Sequence, residues 1–159
     1  RRFAQASRSR ASRLLEPPAP IIRDDVPEPE PSIKVAKYQI ANLNFKASDK
    51  NLTKATPVSL LLWAAQVVDT ESPVNIAETA HRIFSAAGVT RPNKQLQNTM
   101  NEALDRLVAT GRVSRRGDFL WSNDMTQPPV RDRSGLPPST RKLDMISDDE
   151  LEEAICFVV

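Results

Sequence analysis

Three arginines, Arg112, Arg115 and Arg116, fall within five residues and run into Gly117. Guanidinium groups at a hairpin tip suit phosphate oxygens and the minor groove, because the planar fork stays charged and donates parallel hydrogen bonds. Upstream, Lys94, Asn98 and Asn101 recur at spacings of four and three, which is one face of a helix. Amide side chains can pair with adenine edges, and a lysine near the start of such a helix is well placed for DNA. Each signal has a plain counterpart. Hairpin tips carry charge for solubility, a polar helix face is often only solvated, and Glu102 and Asp105 on the same helix would repel phosphate.

Other chemistry is sparse. His81 lies beside its helix stripe, within reach of Glu78, with no nucleophile or partner base suggested. One histidine and one cysteine, Cys156, cannot make a zinc cluster or an intramolecular disulfide. The single thiol is compatible with a reducing cytosol, so a cytoplasmic location is expected. No glycine-rich phosphate loop occurs. No catalytic residue, metal or cofactor is therefore expected. Arg116-Gly117-Asp118 spells an integrin-binding tripeptide, which in an intracellular hairpin reads as coincidence.

The elements that must hold these residues lie between Pro73 and Trp121. Asn75 and Glu78 have capping-box spacing, and Ile76, Ala80, Ile83, Phe84 and Ala87 form an apolar helical stripe that Gly88 ends. A second helix starts near Asn93, with Leu96, Met100, Ala103, Leu104, Leu107 and Val108 on its apolar side and Gly111 as its stop. Arg112–Arg115 and Asp118–Trp121 read as strands with Arg116-Gly117 at the turn. Phe119 and Trp121 share a strand face, and that face is expected to close the core. Helix, turn, helix and hairpin in this order predict a winged helix-turn-helix: mainly α, with a small β-hairpin and extended flanks.

The flanks follow from composition. Residues 1–55 read as a basic start, a Pro/Glu-rich linker and a docking segment. The start holds five arginines and no acid in residues 1–13, which suits either a basic connector or a transit-type peptide. Six of the thirteen prolines fall between Pro17 and Pro31, among acids, and predict an extended linker. Tyr38, Ile40, Leu43 and Phe45 are candidates to dock on the domain. Thr56-Pro57 suits a helix start, and Val58–Val68 is apolar nearly all round with Trp63 at its centre. Such a helix is expected to be buried on every face, so Trp63 is a candidate contact with another domain. The winged helix itself is placed at residues 56–123, a Pro-containing arm at 124–146 and a further helix at 147–159. Ser147 and Glu150 form a capping box for that helix. It is either the start of a second, incomplete winged helix, since its apolar positions echo those after Thr56, or a helix packing back on the first domain. The chain starts at Arg1 and stops at Val159 inside an apolar pattern, so a longer parent protein is expected.

The run "PVNIAETAHRIFSAAGVTRPNKQLQNTMNEALDRLVATGRVSRRGDFLW" resembles the C-terminal module of large bacterial helicase-like proteins, domain of unknown function 3320. The resemblance rests on "PVNI", "AHRIFSAAGVTR" and "GRVSRRGDFLW" in order, continues into "PPVRDRSGLPPSTRKLDMIS", and covers about residues 57–159. It implies a superfamily-one helicase core, often with a nuclease-like domain, ahead of this module in the parent chain. None of that machinery lies in these residues.

Two functions stay open on sequence grounds. The first is a non-catalytic module that contacts nucleic acid through Lys94, Asn98, Asn101, Arg112, Arg115 and Arg116. The rival is a protein-interaction or intramolecular docking module working through the Trp63 helix, with the helicase or nuclease domains of the same parent chain as partners. Residues 56–123 carry seven Lys/Arg against six Asp/Glu, far from the basic surplus of a domain that binds phosphate by charge alone. No apolar run is long enough to span a membrane.

Overall fold

The computed structural model describes residues 35–45 and 51–156. The linker and basic start assigned to residues 1–34 lie outside them. The described residues form four α-helices and five short strands, a mainly α fold with little sheet.

Each helix begins where its cap is written. Helix α1, Pro57–Glu71, starts on Thr56, whose hydroxyl accepts from the Ser59 amide at 3.2 Å, with Pro57 in the first turn. Strand β2, Val74–Asn75, leads into α2, Ile76–Ala86, and the Asn75 side chain accepts from Ala77 N at 2.9 Å. Glu78 does not complete the capping box; its carboxylate turns to Arg82 Nη1, 2.8 Å away but not aligned as a hydrogen bond. Helix α3, Lys94–Ala109, is capped by Asn93, which accepts from Leu96 N at 2.8 Å. Gly88 and Gly111 follow α2 and α3 at φ of 77° and 73°, a left-handed backbone that costs other residues a clash.

Strands β3, Val113–Arg116, and β4, Phe119–Ser122, make the hairpin, one residue later than the spacing predicts, so the turn is Gly117-Asp118. Strand β2 pairs antiparallel with β4, giving a sheet of order β2-β4-β3. Ahead of α1, strand β1, Ala36–Lys37, runs parallel to β5, Arg131–Asp132, from the arm. Helix α4, Asp148–Cys156, starts on Ser147, whose hydroxyl accepts from Glu150 N at 3.3 Å. Of its apolar positions, Leu151 and Ala154 are half-buried and Ile155 is exposed.

The core joins three helices to one face of the hairpin. Leu60, Val67, Ile83, Met100, Leu104, Val113 and Leu120 are buried in one cluster. Each large side chain contributes about 1.5–3 kcal/mol by leaving water. Phe119 and Trp121 are not in that cluster, contrary to the sequence expectation. Arg115 pairs across the hairpin with Leu120, and Arg116 with Phe119, so adjacent rungs face opposite sides. The helical core takes Val113 and Leu120, while Trp121 is buried on the other face beneath the arm.

Helix α1 is covered on only part of its circumference by the described residues. Leu60, Ala64, Ala65, Val67 and Val68 are buried, but Val58 and Leu62, one turn apart, are 63% and 58% exposed. Trp63 is half-buried and stacks on Phe45, with ring centroids 4.3 Å apart. In the docking segment Tyr38 and Leu43 are buried, whereas Ile40 is exposed.

This division of the hairpin and of α1 sets a stability contrast. Leu120→Ala should cost about 2–5 kcal/mol, the usual range for emptying a core leucine site. Leu62→Ala should stay within about 0.5 kcal/mol, as surface changes do. Urea unfolding of the two variants checks this, and comparable losses would contradict the assignment of faces.

Candidate functional site

Helix α3 presents Lys94, Asn98, Asn101 and Asp105 at spacings of four, three and four, all exposed and on one stripe. The stripe runs toward the hairpin. Arg115 Nη1 lies 3.7 Å from Asp105 Oδ1, and Asn101, Asp105 and Arg115 rim a cleft of about 270 Å³ floored by Leu104 and Leu120. Lys94 has no ion pair among the described residues.

The three hairpin arginines do not form one cluster. Arg112 Nη2 donates to Asp69 Oδ2 at 2.9 Å, at the end of α1. Arg115 Nε donates to Gly117 O at 3.0 Å and faces Asp105 on α3. Arg116 lies on the opposite face, its guanidinium 4.1 Å above the Trp121 ring and 3.8 Å from Asp149 on α4. Each cation thus has a carboxylate of its own chain nearby. Asp105 separates Asn101 from Arg115, and Arg116 points away, so no uninterrupted positive face runs from Lys94 to Arg116. These exposed pairs are individually weak, on the order of 0–1 kcal/mol. Their weight lies in cancelling the local field.

His81 is exposed and 3.9 Å from Glu78. Cys156 is exposed. Among the described residues no three His, Cys, Asp or Glu side chains gather as metal ligands, and no helix is long and apolar enough to cross a membrane.

What sequence reasoning missed is a buried charge network behind the hairpin. Glu71 is 0% exposed at the end of α1. Its carboxylate accepts from Tyr38 Oη at 2.7 Å, Ala41 N at 2.9 Å and Arg82 Nε at 3.2 Å. Arg131 in β5 donates from Nη1 to Glu71 O at 2.7 Å and Ser72 O at 3.1 Å, and from Nη2 to Pro73 O at 2.9 Å. These are the carbonyls at the end of α1 and the entry to β2. Glu150 of α4 accepts from Arg131 Nη2 and Arg133 Nη2, both at 2.6 Å. Both guanidinium groups also lie over the Tyr38 ring, at 4.9 Å and 4.7 Å. No periodicity marks these residues. The available signal was two arginines in "VRDR" of an otherwise loop-like arm, with a glutamate inside a capping box.

No protein-family model, curated protein or solved structure matches the chain. The resemblance to the helicase-associated module therefore stands on its quoted residues alone.

Tyr38 is the single tyrosine, so the network can be watched directly. Burial pushes its phenol well above the ordinary value, and the Glu71 charge and hydrogen bond add to the shift. The folded state thus holds the proton after the unfolded chain has lost it. The stabilisation is complete below about pH 10, the ordinary tyrosine value, and falls as pH rises beyond it. Ultraviolet absorbance should show no tyrosinate until the chain unfolds, and Tyr38→Phe should remove that part of the alkaline loss. The same variant should cost about 1–3 kcal/mol at neutral pH by leaving Glu71 short of a donor. A Tyr38 titration at the ordinary value would contradict this arrangement.

Proposed function

We propose that this chain is a non-catalytic winged-helix module that recognises a protein surface, rather than one that grips the phosphate backbone. The element order α1-β2-α2-α3-β3-β4, with an antiparallel sheet ordered β2-β4-β3, supports the winged-helix reading. The observation that carries the choice of target is the neutralisation of the wing. Arg112, Arg115 and Arg116 face Asp69, Asp105 and Asp149 respectively. A phosphate-binding wing needs free cations, because its affinity comes from replacing counterions along the nucleic acid. The partner is a domain of the parent protein or a separate polypeptide.

A second reading has its own observation. The exposed stripe of Lys94, Asn98 and Asn101 lies on the second helix of the pair, the element that enters the major groove in winged helices. In that reading the helix reads bases and the wing contributes little.

Fluorescence anisotropy with labelled duplexes at several salt concentrations separates the two. The interaction reading expects only weak duplex association, unchanged in Arg115→Ala/Arg116→Ala. Tight binding whose salt slope falls by about one unit per lost arginine would overturn it. Sequence-dependent binding lost in Asn98→Ala/Asn101→Ala, at a cost of about 1–3 kcal/mol per base contact, would establish the second reading instead.

A further inference from the structure

The hairpin face turned away from the helical core borders a cleft of about 470 Å³, closed on its other side by the arm and the first turn of α4. Part of its wall is apolar: Phe119 from β4 and Leu143 and Ile146 from the arm, with Trp121 sealed beneath. Leu143 is 70% exposed. Its charged groups are four aspartates, Asp118, Asp144, Asp148 and Asp149, against one cation, Arg116. One further fact points to an occupant. Arg116 already lies between the Trp121 ring, at 4.1 Å, and Asp149, at 3.8 Å, so the chain itself displays how a guanidinium sits there. Trp121 is 1% exposed beneath that guanidinium, so its indole reports any ligand that displaces Arg116.

We propose that this cleft is a docking site for a basic, extended segment of a partner protein. One Lys or Arg side chain of the segment lies along the apolar wall, with its charge among Asp118, Asp144 and Asp148. The charge excess favours a cation, and the wall accommodates the methylene stem that Lys and Arg carry. The cleft is on the wing face opposite α3, so the segment does not compete with the stripe of Lys94, Asn98 and Asn101. The proposal rests on the interaction-module reading and gives its partner a chemistry.

The test follows the indole N–H resonances of the two tryptophans by NMR while a blocked hexa-arginine peptide is titrated into the intact chain, with hexaglutamate as control. The Trp121 signal should move and the Trp63 signal should not. Asp144→Asn/Asp148→Asn should weaken binding about five- to tenfold, the scale of two partly screened charge contacts. Arg116→Gln, which removes the competing guanidinium, should tighten it about two- to fivefold on the same scale. Glu102→Gln/Asp105→Asn, on the other face, should leave it unchanged. Circular dichroism establishes that the variants remain folded. No movement of the Trp121 signal, or equal weakening by both acid pairs, overturns the site. Neither result bears on the duplex measurements, so the cleft can fail while the interaction reading stands.

Discussion

The carboxylate of Glu71 is the point on which the architecture turns. It is fully buried, and its ligands come from the segment before α1 and from α2, while Arg131 of the arm caps the carbonyls beside it. Glu150 repeats the arrangement on the far side of Arg131. Three acids, Glu71, Glu78 and Glu150, thus face three bases, Arg82, Arg131 and Arg133. Taking such charges out of water is expensive, and the network is not fully satisfied, since Arg82 Nη2 and Arg133 Nε have no partner. Its net contribution to stability is accordingly small, yet losing one member would strand a buried charge at a cost of about 3–5 kcal/mol. Such a network can favour one docking of the first segment, the arm and α4 over others that would leave its charges unpaired.

The surface inherits this constraint. Arg131 holds the turn that leads into β2, and β2 in turn pairs with β4. Asn75 donates to Asp144 O at 3.1 Å, and Ser122 N donates to Ser72 Oγ at 2.8 Å, so the arm and the end of α1 are tied to the base of the hairpin. With the arm in that position, the outer hairpin face is covered and Trp121 is buried there. The arginines that stand together in sequence are distributed over α1, α3 and α4 partners. The helices against which the hairpin packs thus supply the carboxylates for Arg112 and Arg115, and the docked α4 supplies that for Arg116.

Much of the helical layout was legible in the sequence. Thr56, Asn75, Asn93 and Ser147 cap the helices that their positions announce, because capping is local chemistry. The hairpin was legible, but its inward face was not. Phe119 and Trp121 are the larger side chains, and size suggests the core when only one face is covered. Here both faces are covered, so alternation alone cannot say which meets the helices. Helix α1 is apolar nearly all round, yet Val58 and Leu62 stay exposed in this chain, and two aliphatic side chains on a surface are ordinary. The charge network was illegible for a simpler reason. Arg131 and the carbonyls it binds are about sixty residues apart, and such pairings leave no spacing to read. The candidate residues Lys94, Asn98 and Asn101 are exposed as their helical phase implies, whereas the arginines meet carboxylates on α1, α3 and α4 that only the tertiary fold brings to them.

Buried charge pairing should hold the first segment and the arm as firmly as the helical core is held. Native-state hydrogen exchange tests it most directly. The amides of Ala36 and Tyr38, bonded to Val130 O and Asp132 O, are the reporters for the parallel β1–β5 contact. They should exchange only through the same global opening as the core amides of α1 and α3, and in Glu150→Gln they should exchange much faster while α3 keeps its protection. Rapid exchange of Ala36 and Tyr38 in the unaltered chain, with α1 and α3 protected, would contradict the account.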